Sequence, residues 1–517
     1  MQRYKILWAD DEIEFLKPHI LFLEKKGYDV TAVNSGADAL EEAGNEHFDV
    51  VFLDEMMPGM TGLETLHQIK NIRPNLPVVM ITKSEEEDVM EQAIGSKIAD
   101  YLIKPVNPNQ ILMAVKKITD NKRLVSEKTN QNYQQEFRNI SMAFMDDMNH
   151  EEWAEIYKKL TYWELEIESS DDSSMSEVLE MQKSDANNKF ARFVIDNYED
   201  WLNDPESDRP VLAHNLMKQK VFPVMENGKP TFMLLIDNLR WDQWSILEPL
   251  FSQYFKIDQR ETFYSILPTT TAYARNAIFS GLMPLEMSKR YPHLWVGDES
   301  DEGKNNHEHE FLEEQLKRMR LDYKWSYHKI KQLNQGKQLA ESIHNLMNND
   351  LNVIVYNFVD LLSHARTEME VIRELAPNES AYRSLTRSWF EHSPLFDIVQ
   401  RLANKDVNVV VTTDHGTMRV KRPYKIIGDR NTNTNLRYKA GKNLSFNEGD
   451  VLVSRNPEDL HLPKQNVSTA YVFAVEDSFF AYPNNYNYYV KYYKDTFQHG
   501  GISMEEMICP FVSMVPK

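Results

Sequence analysis

Short apolar segments alternate with amphipathic segments in two separate series along this chain. The first series occupies residues 5 to about 118, and its apolar runs are KILWA, YDVTAV, FDVVFLD, PVVMIT and DYLIK. Buried strands that alternate with helices are typical of a parallel sheet covered on both faces. Residues 1–120 are therefore predicted to form a five-stranded, doubly wound α/β domain.

The second series begins near residue 206, with the strand-like runs TFMLLIDN, FYSILPTT, LNVIVYNFVD, VNVVVTTDHG and TAYVFAVED. In residues 121–205, between the two series, apolar side chains recur at helical spacing, as in WAEIYKKLTYWELEI, and no convincing strand is found. The chain is thus predicted to have the α/β class and three parts. These are the domain at 1–120, a helical connector at 121–205 and a larger α/β domain at 206–517.

Charge and composition restrict the classes of partner. The formal net charge of -21 opposes non-specific binding to nucleic acid or anionic membranes. No helix-turn-helix signature is found, so direct DNA binding is not expected. No apolar stretch approaches the length of a membrane span. Cys509 is the single cysteine, so no intrachain disulfide forms, and the cytoplasm is the expected location.

Three aspartates directly follow strands of the first domain. Asp10 and Asp11 follow KILWA, and Asp54 ends FDVVFLD. The carboxyl ends of parallel strands converge on one crevice, where three carboxylates repel each other unless a cation joins them. Mg²⁺ prefers such oxygen ligands. An aspartate beside bound Mg²⁺ can attack a phosphoryl donor and become an acyl phosphate.

The remaining strand ends of this domain complete a recognisable set. Thr82 ends the fourth strand, Tyr101 lies in the fifth, and Lys104 precedes Pro105, where a cis peptide is expected. Together with the stretch LDEMMPGMTG around Asp54, these residues resemble the response-regulator receiver family. The resemblance implies a sensor histidine kinase as partner, phosphorylation of Asp54, and a phosphorylation-dependent homodimer formed through the face that carries Thr82 and Tyr101.

The second α/β domain carries a set of carboxylates and imidazoles after its strands and in its last loop. They are Asp237, Asp360, His364, Asp414, His415 and His499. Asp360 and His364 are four residues apart, so a helical turn would put both on one face. Mixed Asp and His ligands favour Zn²⁺ or Mn²⁺ over Mg²⁺. The segment LPTTTAYARNAIFSG predicts a threonine hydroxyl at a helix N-terminus, which favours phosphate.

This arrangement resembles the PglZ-type branch of the alkaline-phosphatase superfamily. The resemblance assigns one metal to Asp237, Thr271, Asp414 and His415, and the other to Asp360, His364 and His499. Its Pro-Thr-x-Thr motif selects Thr271 as the nucleophile. The implied reaction is a two-metal displacement that passes through a phospho-threonine.

The order of receiver, connector and PglZ-type domain resembles the PorX-type response regulators, which are associated with type IX secretion in Bacteroidota. That resemblance implies a sigma factor and a secretion-motor protein as further partners. Two functions remain open. One is a metal-dependent phosphodiesterase that is switched by phosphorylation. The other is an interaction protein in which the metal site only stiffens the fold.

Basic residues near the second site are candidates for substrate binding. Residues 419–442 hold eight basic residues and one acid and begin four residues after His415. A basic segment there favours a nucleotide or oligonucleotide substrate, with Lys421, Arg422 and Arg437 as its contacts. Arg275 lies four residues after Thr271 and is a candidate phosphate ligand. The alternatives are a solvated loop for the segment and a surface salt bridge for Arg275.

Overall fold

The computed structural model describes residues 4–517 except 75, 84–97, 171–174, 205, 298–302, 430–431, 448, 450 and 465, and the side chains of residues 120–127 are also outside the description. The chain forms two compact units. The first consists of Met1–Gln134 and Ser169–Ser173, and the second of Gln135–Glu168 and Ser174–Lys517.

The first unit is built on a parallel sheet. Its strands are β1 (Lys5–Ala9), β2 (Asp29–Val33), β3 (Val50–Asp54), β4 (Val78–Thr82) and β5 (Asp100–Ile103). Its described helices are the 3₁₀ turn Ile13–Leu16, α1 (Lys17–Lys25), α2 (Gly36–Asn45), α3 (Gly62–Ile72) and the start of α4 (Pro108–Ala143). The strand order is β2-β1-β3-β4-β5, and all pairs are parallel. This confirms the predicted fold.

Both faces of this sheet are buried, as its uninterrupted apolar strands require. Side chains alternate across a strand, so Leu7 packs into the cluster on one face while Ile6 and Trp8 pack into the cluster on the other. The last helix, α4, runs without a break from Pro108 to Ala143 and so crosses the predicted boundary at residue 120.

Two long helices form the connector, α5 (His150–Ser169) and α6 (Ser176–Asn203). The described residues between 121 and 204 contain no strand, in line with the sequence pattern. Aromatic side chains join the two helices. The ring centroid of Trp153 on α5 lies 5.6 Å from that of Phe190 on α6.

The remainder of the second unit is the larger α/β domain. Its strands are β6 (Thr231–Ile236), β7 (Phe255–Tyr264), β8 (Trp325–Ile330), β9 (Leu351–Tyr356), β10 (Asn408–Thr412), β11 (Met418–Arg419), β12 (Arg422–Lys425), β13 (Tyr438–Gly441), β14 (Val451–Ser454), β15 (Ala470–Ala474), β16 (Ser478–Ala481), β17 (Phe497–Gln498) and β18 (Ile508–Pro516). Its α-helices are α7 (Phe222–Met225), α8 (Trp241–Phe251), α9 (Thr271–Ser280), α10 (Pro284–Arg290), α11 (Glu308–Met319), α12 (Leu333–Ser342), α13 (Phe358–Glu368), α14 (Glu370–Leu375), α15 (Glu379–Glu391), α16 (Pro394–Leu402), α17 (Tyr486–Tyr493) and α18 (Met504–Met507). Short 3₁₀ or π turns lie at Ala213–Asn215, Met217–Val221, Ile343–Asn348 and Pro457–Leu460.

The main sheet of this domain is mixed, with the strand order β7-β18-β10-β6-β9-β8. Strands β10, β6, β9 and β8 are mutually parallel, whereas β18 is antiparallel to both β10 and β7. In a parallel sheet, the crevice beyond the carboxyl ends of the strands is the usual place for a ligand. The ends of β6, β9 and β10 therefore define where a site is expected.

Two predicted strands differ from the structure. The run TAYVFAVED forms β15, which belongs to a separate three-stranded sheet with β13 and β14. In FYSILPTT, the strand ends at Tyr264, and the residues that follow form the loop that leads to Thr271. No helix in the described part of the chain has both the length and the apolar character needed to cross a membrane.

Candidate metal centre and phosphorylation site

The carboxyl ends of three parallel strands bring together five of the six predicted metal ligands, and a separate short strand supplies the sixth. Asp237 directly follows β6, and Asp414 lies two residues beyond β10. Asp360 and His364 lie on α13, the helix that begins after β9, one turn apart as predicted. His499 follows β17. The ligands after β6, β9 and β10 converge because these strands are neighbours in one sheet, whereas His499 comes from β17, which pairs with β11 in a separate two-stranded sheet.

The first cluster consists of Asp237, Asp414 and His415, which are all buried and have ligand atoms within 4.8 Å of one another. The Nε2 atom of His415 lies 3.8 Å from Asp237 Oδ1 and 3.7 Å from Asp414 Oδ2. Its other ring nitrogen, Nδ1, lies 3.0 Å from the carbonyl oxygen of Gly416. If Nδ1 donates to that carbonyl, Nε2 is left with its lone pair directed at the carboxylates, the orientation of a metal-binding histidine.

The second cluster consists of Asp360, His364 and His499, with ligand atoms again within 4.8 Å of one another. His364 Nε2 and His499 Nε2 each lie 3.5 Å from an oxygen of Asp360. His499 Nδ1 lies 3.3 Å from the carbonyl oxygen of Thr269. The rings of His415 and His499 stack with centroids 4.3 Å apart, so the two clusters are adjacent.

Thr271 lies against the first cluster. Its Oγ1 is 3.0 Å from His415 Nε2 and 3.4 Å from Asp237 Oδ1. It is the first residue of α9, and Thr270 is the N-cap. The N–H groups of the first turn of a helix have no partner within the helix, and the helix dipole makes that end positive. The Thr271 hydroxyl therefore lies at a helix N-terminus, which can bind a phosphate group.

Negative charge dominates these clusters. Burial and the neighbouring Asp237 raise the pKa of Asp360 and of Asp414 to about 6. Burial also disfavours the charged form of Asp237, but Arg275 and His415 outweigh it and hold the pKa of Asp237 below its usual value. Asp414 Oδ2 is buried and accepts no hydrogen bond from a described residue. Three carboxylates and three imidazoles with such a free oxygen fit two divalent cations.

The basic residues predicted to contact substrate in segment 419–442 pair with acidic residues of this chain. Lys421 pairs with Glu180 on α6, and Arg422 pairs with Glu476 and Asp477, although both cations stay partly exposed. Arg437 is fully buried, where it donates to Glu506 at 2.5 Å and to the carbonyl of Ser478. A buried guanidinium with its donors engaged cannot reach a substrate, so the prediction for Arg437 is wrong.

Arg275 is neither a surface residue nor open to solvent. Its side chain is 1% exposed, and its Nη1 lies 2.8 Å from Asp237 Oδ2. Its Nε lies 2.6 Å from Glu308 Oε1. The predicted surface salt bridge is therefore wrong in its location, and the predicted phosphate contact has no free donor face toward solvent. The guanidinium instead belongs to the carboxylate surroundings of the first cluster.

Three residues beside the site were not among the predicted site residues. Glu308 lies in the charged stretch KNNHEHE, whose composition is typical of a solvated loop, yet its side chain is 1% exposed. Asn238 has a φ of 64°, a left-handed conformation that asparagine tolerates, and donates to Asp360 Oδ1 at 3.4 Å. An asparagine directly after a strand-terminal aspartate was the available signal. Asn187, on α6, carried no local signal.

The receiver-like unit brings its own predicted residues together. Ligand atoms of Asp10, Asp11 and Asp54 lie within 4.8 Å of one another. Lys104 Nζ lies 2.9 Å from Asp10 Oδ2 and 3.0 Å from Asp54 Oδ1. The Lys104–Pro105 peptide is cis, as predicted. Burial raises the pKa of Asp54 to about 6, against the opposing hydrogen bond from Lys104.

The two switch residues of this unit have different surroundings. The hydroxyl of Thr82 is buried and donates to Glu55. Tyr101 is half-buried and packs against one of the two apolar clusters of the sheet. Both lie on the strands β4 and β5 that flank the Asp54 strand on one side.

Comparison with known families identifies the class of protein. A family model described as the response regulator receiver domain matches residues 6–116, and one described as the PorX response regulator linker domain matches residues 123–202. The protein is thus a response regulator with a C-terminal output domain. A model described as the BREX system PglZ alkaline phosphatase-like domain matches residues 216–514, more than half of the chain. The chain belongs to the PglZ family, in the receiver, linker and PglZ order of the PorX-type architecture.

Individual relatives match the receiver part. The CpxR homolog of Haemophilus influenzae, a transcriptional regulatory protein, is 36% identical over 116 residues, which are 22% of this chain and 49% of the relative. The transcriptional regulatory protein ResD of Bacillus subtilis is 31% identical over 112 residues, 22% of this chain and 46% of the relative. The chain spans about half the length of these curated relatives. A receiver domain from Methanospirillum hungatei is 28% identical and covers 23% of this chain and 96% of its own, with a TM-score of 0.23.

These families also define the kind of partner and cofactor. A receiver domain implies a sensor histidine kinase as phosphodonor. Receiver domains bind Mg²⁺, and alkaline-phosphatase-like domains depend on metals. Both statements agree with the donor sets of the three clusters, which are all oxygen at Asp10, Asp11 and Asp54 and mixed oxygen and nitrogen in the output domain.

Proposed function

We propose that this response regulator is a metal-dependent phosphodiesterase that acts on nucleotide or oligonucleotide phosphodiesters. Its activity is controlled by phosphorylation of Asp54, which drives homodimerisation. The observation that carries the proposal is the Thr271 hydroxyl, which lies at a helix N-terminus 3.0 Å from His415 Nε2 of the first cluster. A site that only stiffens the fold needs no hydroxyl in that place.

The chain's own residues suit each part of such a reaction. Two Zn²⁺ or Mn²⁺ ions, held by the two clusters, would supply Lewis-acid stabilisation of the phosphoryl oxygens. Thr271 Oγ1 attacks phosphorus and forms a new P–O bond as the bond to the leaving alcohol breaks. The hydroxyl lies 3.4 Å from Asp237 Oδ1 and 3.0 Å from His415 Nε2, so a cation held by these two residues would lower the hydroxyl's pKa, and the proton that the hydroxyl loses passes to solvent. Water then hydrolyses the phospho-threonine and restores the hydroxyl.

Metal analysis combined with a substrate panel tests this proposal. Purified protein is expected to hold two equivalents of Zn²⁺ or Mn²⁺ and to hydrolyse bis-p-nitrophenyl phosphate and short oligonucleotides faster than p-nitrophenyl phosphate. Cyclic dinucleotides complete the panel. Bound metal without turnover of any of these substrates would contradict the enzymatic proposal and favour a structural metal site in an interaction protein.

The proposal also includes a cellular role. The match to a PorX-type linker supports a role in type IX secretion in the cytoplasm, with a sigma factor and a secretion-motor protein as further partners. The basic residues Lys421 and Arg422 are partly exposed beside acidic partners of this chain, and they remain the proposed contacts for an oligonucleotide substrate.

The connector contacts the segments that carry the metal ligands. Asn187 on α6 donates to Glu505 at 2.9 Å, and its Oδ1 accepts from the backbone N–H of Met504 at 2.9 Å. These residues begin five positions after His499, and the N–H of Gly416 donates to the Glu506 carbonyl at 3.1 Å. Asn187 thus bonds to segment 504–506, which follows His499 in sequence and accepts a hydrogen bond from Gly416, the neighbour of His415.

Asn187→Ala is therefore expected to lower hydrolysis of bis-p-nitrophenyl phosphate several-fold. It leaves the Glu505 carboxylate without its buried donor, at a cost of about 1–3 kcal/mol in stability. Asn197→Ala is the matched control, since Asn197 lies on the same helix and its side chain donates to the backbone carbonyl of Phe193 within that helix. Kinetics and thermal unfolding of both variants provide the measurement. Equal behaviour of the two variants would show that the connector contact does not support the metal centre.

A further inference from the structure

A single guanidinium is buried among the carboxylates of the first cluster. Arg275 lies one turn after Thr271 on α9, with its side chain 1% exposed. Its Nη1 donates to Asp237 Oδ2 at 2.8 Å, and its Nε lies 3.9 Å from Asp414 Oδ2. The reaction described above gives this cation no role. Burial of a charge is unfavourable unless ion pairs compensate for it, so the partners of Arg275 indicate what this guanidinium does.

Glu308 forms an ion pair with the Nε side of the Arg275 guanidinium. Its Oε1 accepts from Arg275 Nε at 2.6 Å, and its Oε2 accepts from the Tyr327 hydroxyl and from Lys329 Nζ, which lies 2.9 Å away. Both oxygens are thus occupied, and the carboxylate itself is 1% exposed. Three donors converge on one buried glutamate, so the orientation of Arg275 is fixed from outside the metal cluster.

The same group of residues reaches the start of α9. Lys329 Nζ donates to the carbonyl of Asn305 at 2.7 Å, and Asn305 Nδ2 donates to the carbonyl of Thr271 at 2.9 Å. Strand β8, which carries Tyr327 and Lys329, is therefore tied both to the ligand Asp237 and to the backbone of Thr271. The edge strand that sequence patterns missed forms one wall of the site.

These contacts determine which carboxylate oxygen of Asp237 remains available to a metal ion. Its Oδ2 is occupied by Arg275, and its Oδ1 alone faces Thr271 Oγ1 at 3.4 Å and His415 Nε2 at 3.8 Å. We propose that Arg275, oriented by Glu308, is a positioning residue that makes Asp237 a one-oxygen ligand and holds that oxygen toward the Thr271 hydroxyl. This inference rests on the two-metal centre of the proposed function.

The contacts of Arg275 with metal ligands are made to the first of the two clusters. Among the described residues, the contacts of Arg275 are with Asp237, Glu308 and Asp414, and the Asp360, His364 and His499 cluster is not among its hydrogen-bond or ion-pair partners. Removal of the Arg275 guanidinium should therefore weaken the binding of one metal ion and leave the binding of the other unchanged. A residue that merely supports the fold would affect both sites alike.

Calorimetric titration of Zn²⁺ and of Mn²⁺ into metal-stripped, full-length protein tests this. In Arg275→Met, one binding event is expected to weaken by about 10–100-fold, as found for partners of metal ligands, while the other stays within about threefold. Glu308→Gln keeps the shape but replaces one acceptor oxygen by an NH2 donor and removes the charge, and a smaller loss confined to the same event is expected. Arg290→Met, which removes an exposed arginine paired with Glu286, is the control.

The outcomes separate the two proposals. Two unchanged binding events in both variants would overturn the positioning role, and so would an equal weakening of both events. If Arg275→Met does not fold, Glu308→Gln decides by the same criterion. Wild-type protein that binds no divalent ion would overturn the metal centre itself, and the inference with it. Wild-type protein that binds two ions without hydrolysis would refute the enzymatic proposal while the titrations still test Arg275.

Discussion

Thr271→Val is expected to reduce hydrolysis of phosphodiesters by at least about 10³-fold, because loss of a nucleophile removes the covalent route entirely. Valine has nearly the shape of threonine and lacks the hydroxyl that lies 3.0 Å from His415 Nε2. The six Asp and His ligands remain, so the content of Zn²⁺ or Mn²⁺ is expected to stay near that of the wild type. Steady-state kinetics and metal analysis of the same preparation measure both quantities.

Thr270→Val is the matched control for this variant. Thr270 is the N-cap of α9, and its hydroxyl is buried with no hydrogen-bond partner among the described residues. Its removal is expected to leave kcat within a few-fold of the wild type. The reverse outcome, with activity lost in Thr270→Val and kept in Thr271→Val, would assign the nucleophile to Thr270. Activity kept in both variants would favour attack by a water molecule.

The sheet of each α/β domain was largely predictable where its strands are buried on both faces. Runs such as VVFLD and NVVVT are continuous apolar segments, and the structure buries every residue of both. Strand β8 escaped notice because WSYHKI is half-buried along most of its length and carries no such run. Strand β18 contains Pro510, which reads as a break, yet it pairs with β10 and β7 on its two sides.

The metal ligands were predictable for a geometrical reason. Asp237, Asp360 and Asp414 each follow a parallel strand within a few residues, and the carboxyl ends of such strands share one edge of the sheet. Local sequence is sufficient to find side chains placed in this way. The residues that hold those ligands follow no such rule, since Glu308 reaches the site from a helix start and Asn187 from the connector.

Charge counts along the sequence did not show which cations of the basic segment are paired. The segment 419–442 is locally basic, but its partners lie far away in sequence. Lys421 pairs with Glu180, which is 241 residues earlier, and Arg437 with Glu506, which is 69 residues later. Opposite charges brought together by the fold cancel a local excess, and only the tertiary structure shows which cations remain available.

Asp54→Asn is expected to abolish phosphorylation of the receiver domain by acetyl phosphate with Mg²⁺. The Asp54 carboxylate is the group that Lys104 Nζ contacts at 3.0 Å, with Asp10 and Asp11 beside it, and an amide cannot form the acyl phosphate. Asp29→Asn is the control, since Asp29 is exposed at the start of β2. Intact-protein mass spectrometry is expected to show one added phosphoryl group in the wild type and in Asp29→Asn, and none in Asp54→Asn.

The same variants test whether phosphorylation drives dimerisation. Beryllofluoride with Mg²⁺ imitates the acyl phosphate, because its fluorine atoms take the places of phosphoryl oxygens around a beryllium bound to the aspartate. Light scattering is expected to give twice the monomer mass of 60.7 kDa for the wild type with beryllofluoride, and the monomer mass for Asp54→Asn. Thr82 ends β4, which pairs with the Asp54 strand β3, and Tyr101 lies on the edge strand β5. An unchanged mass in wild-type protein that demonstrably binds beryllofluoride would exclude dimerisation as the switch while leaving Asp54 as the phosphorylation site.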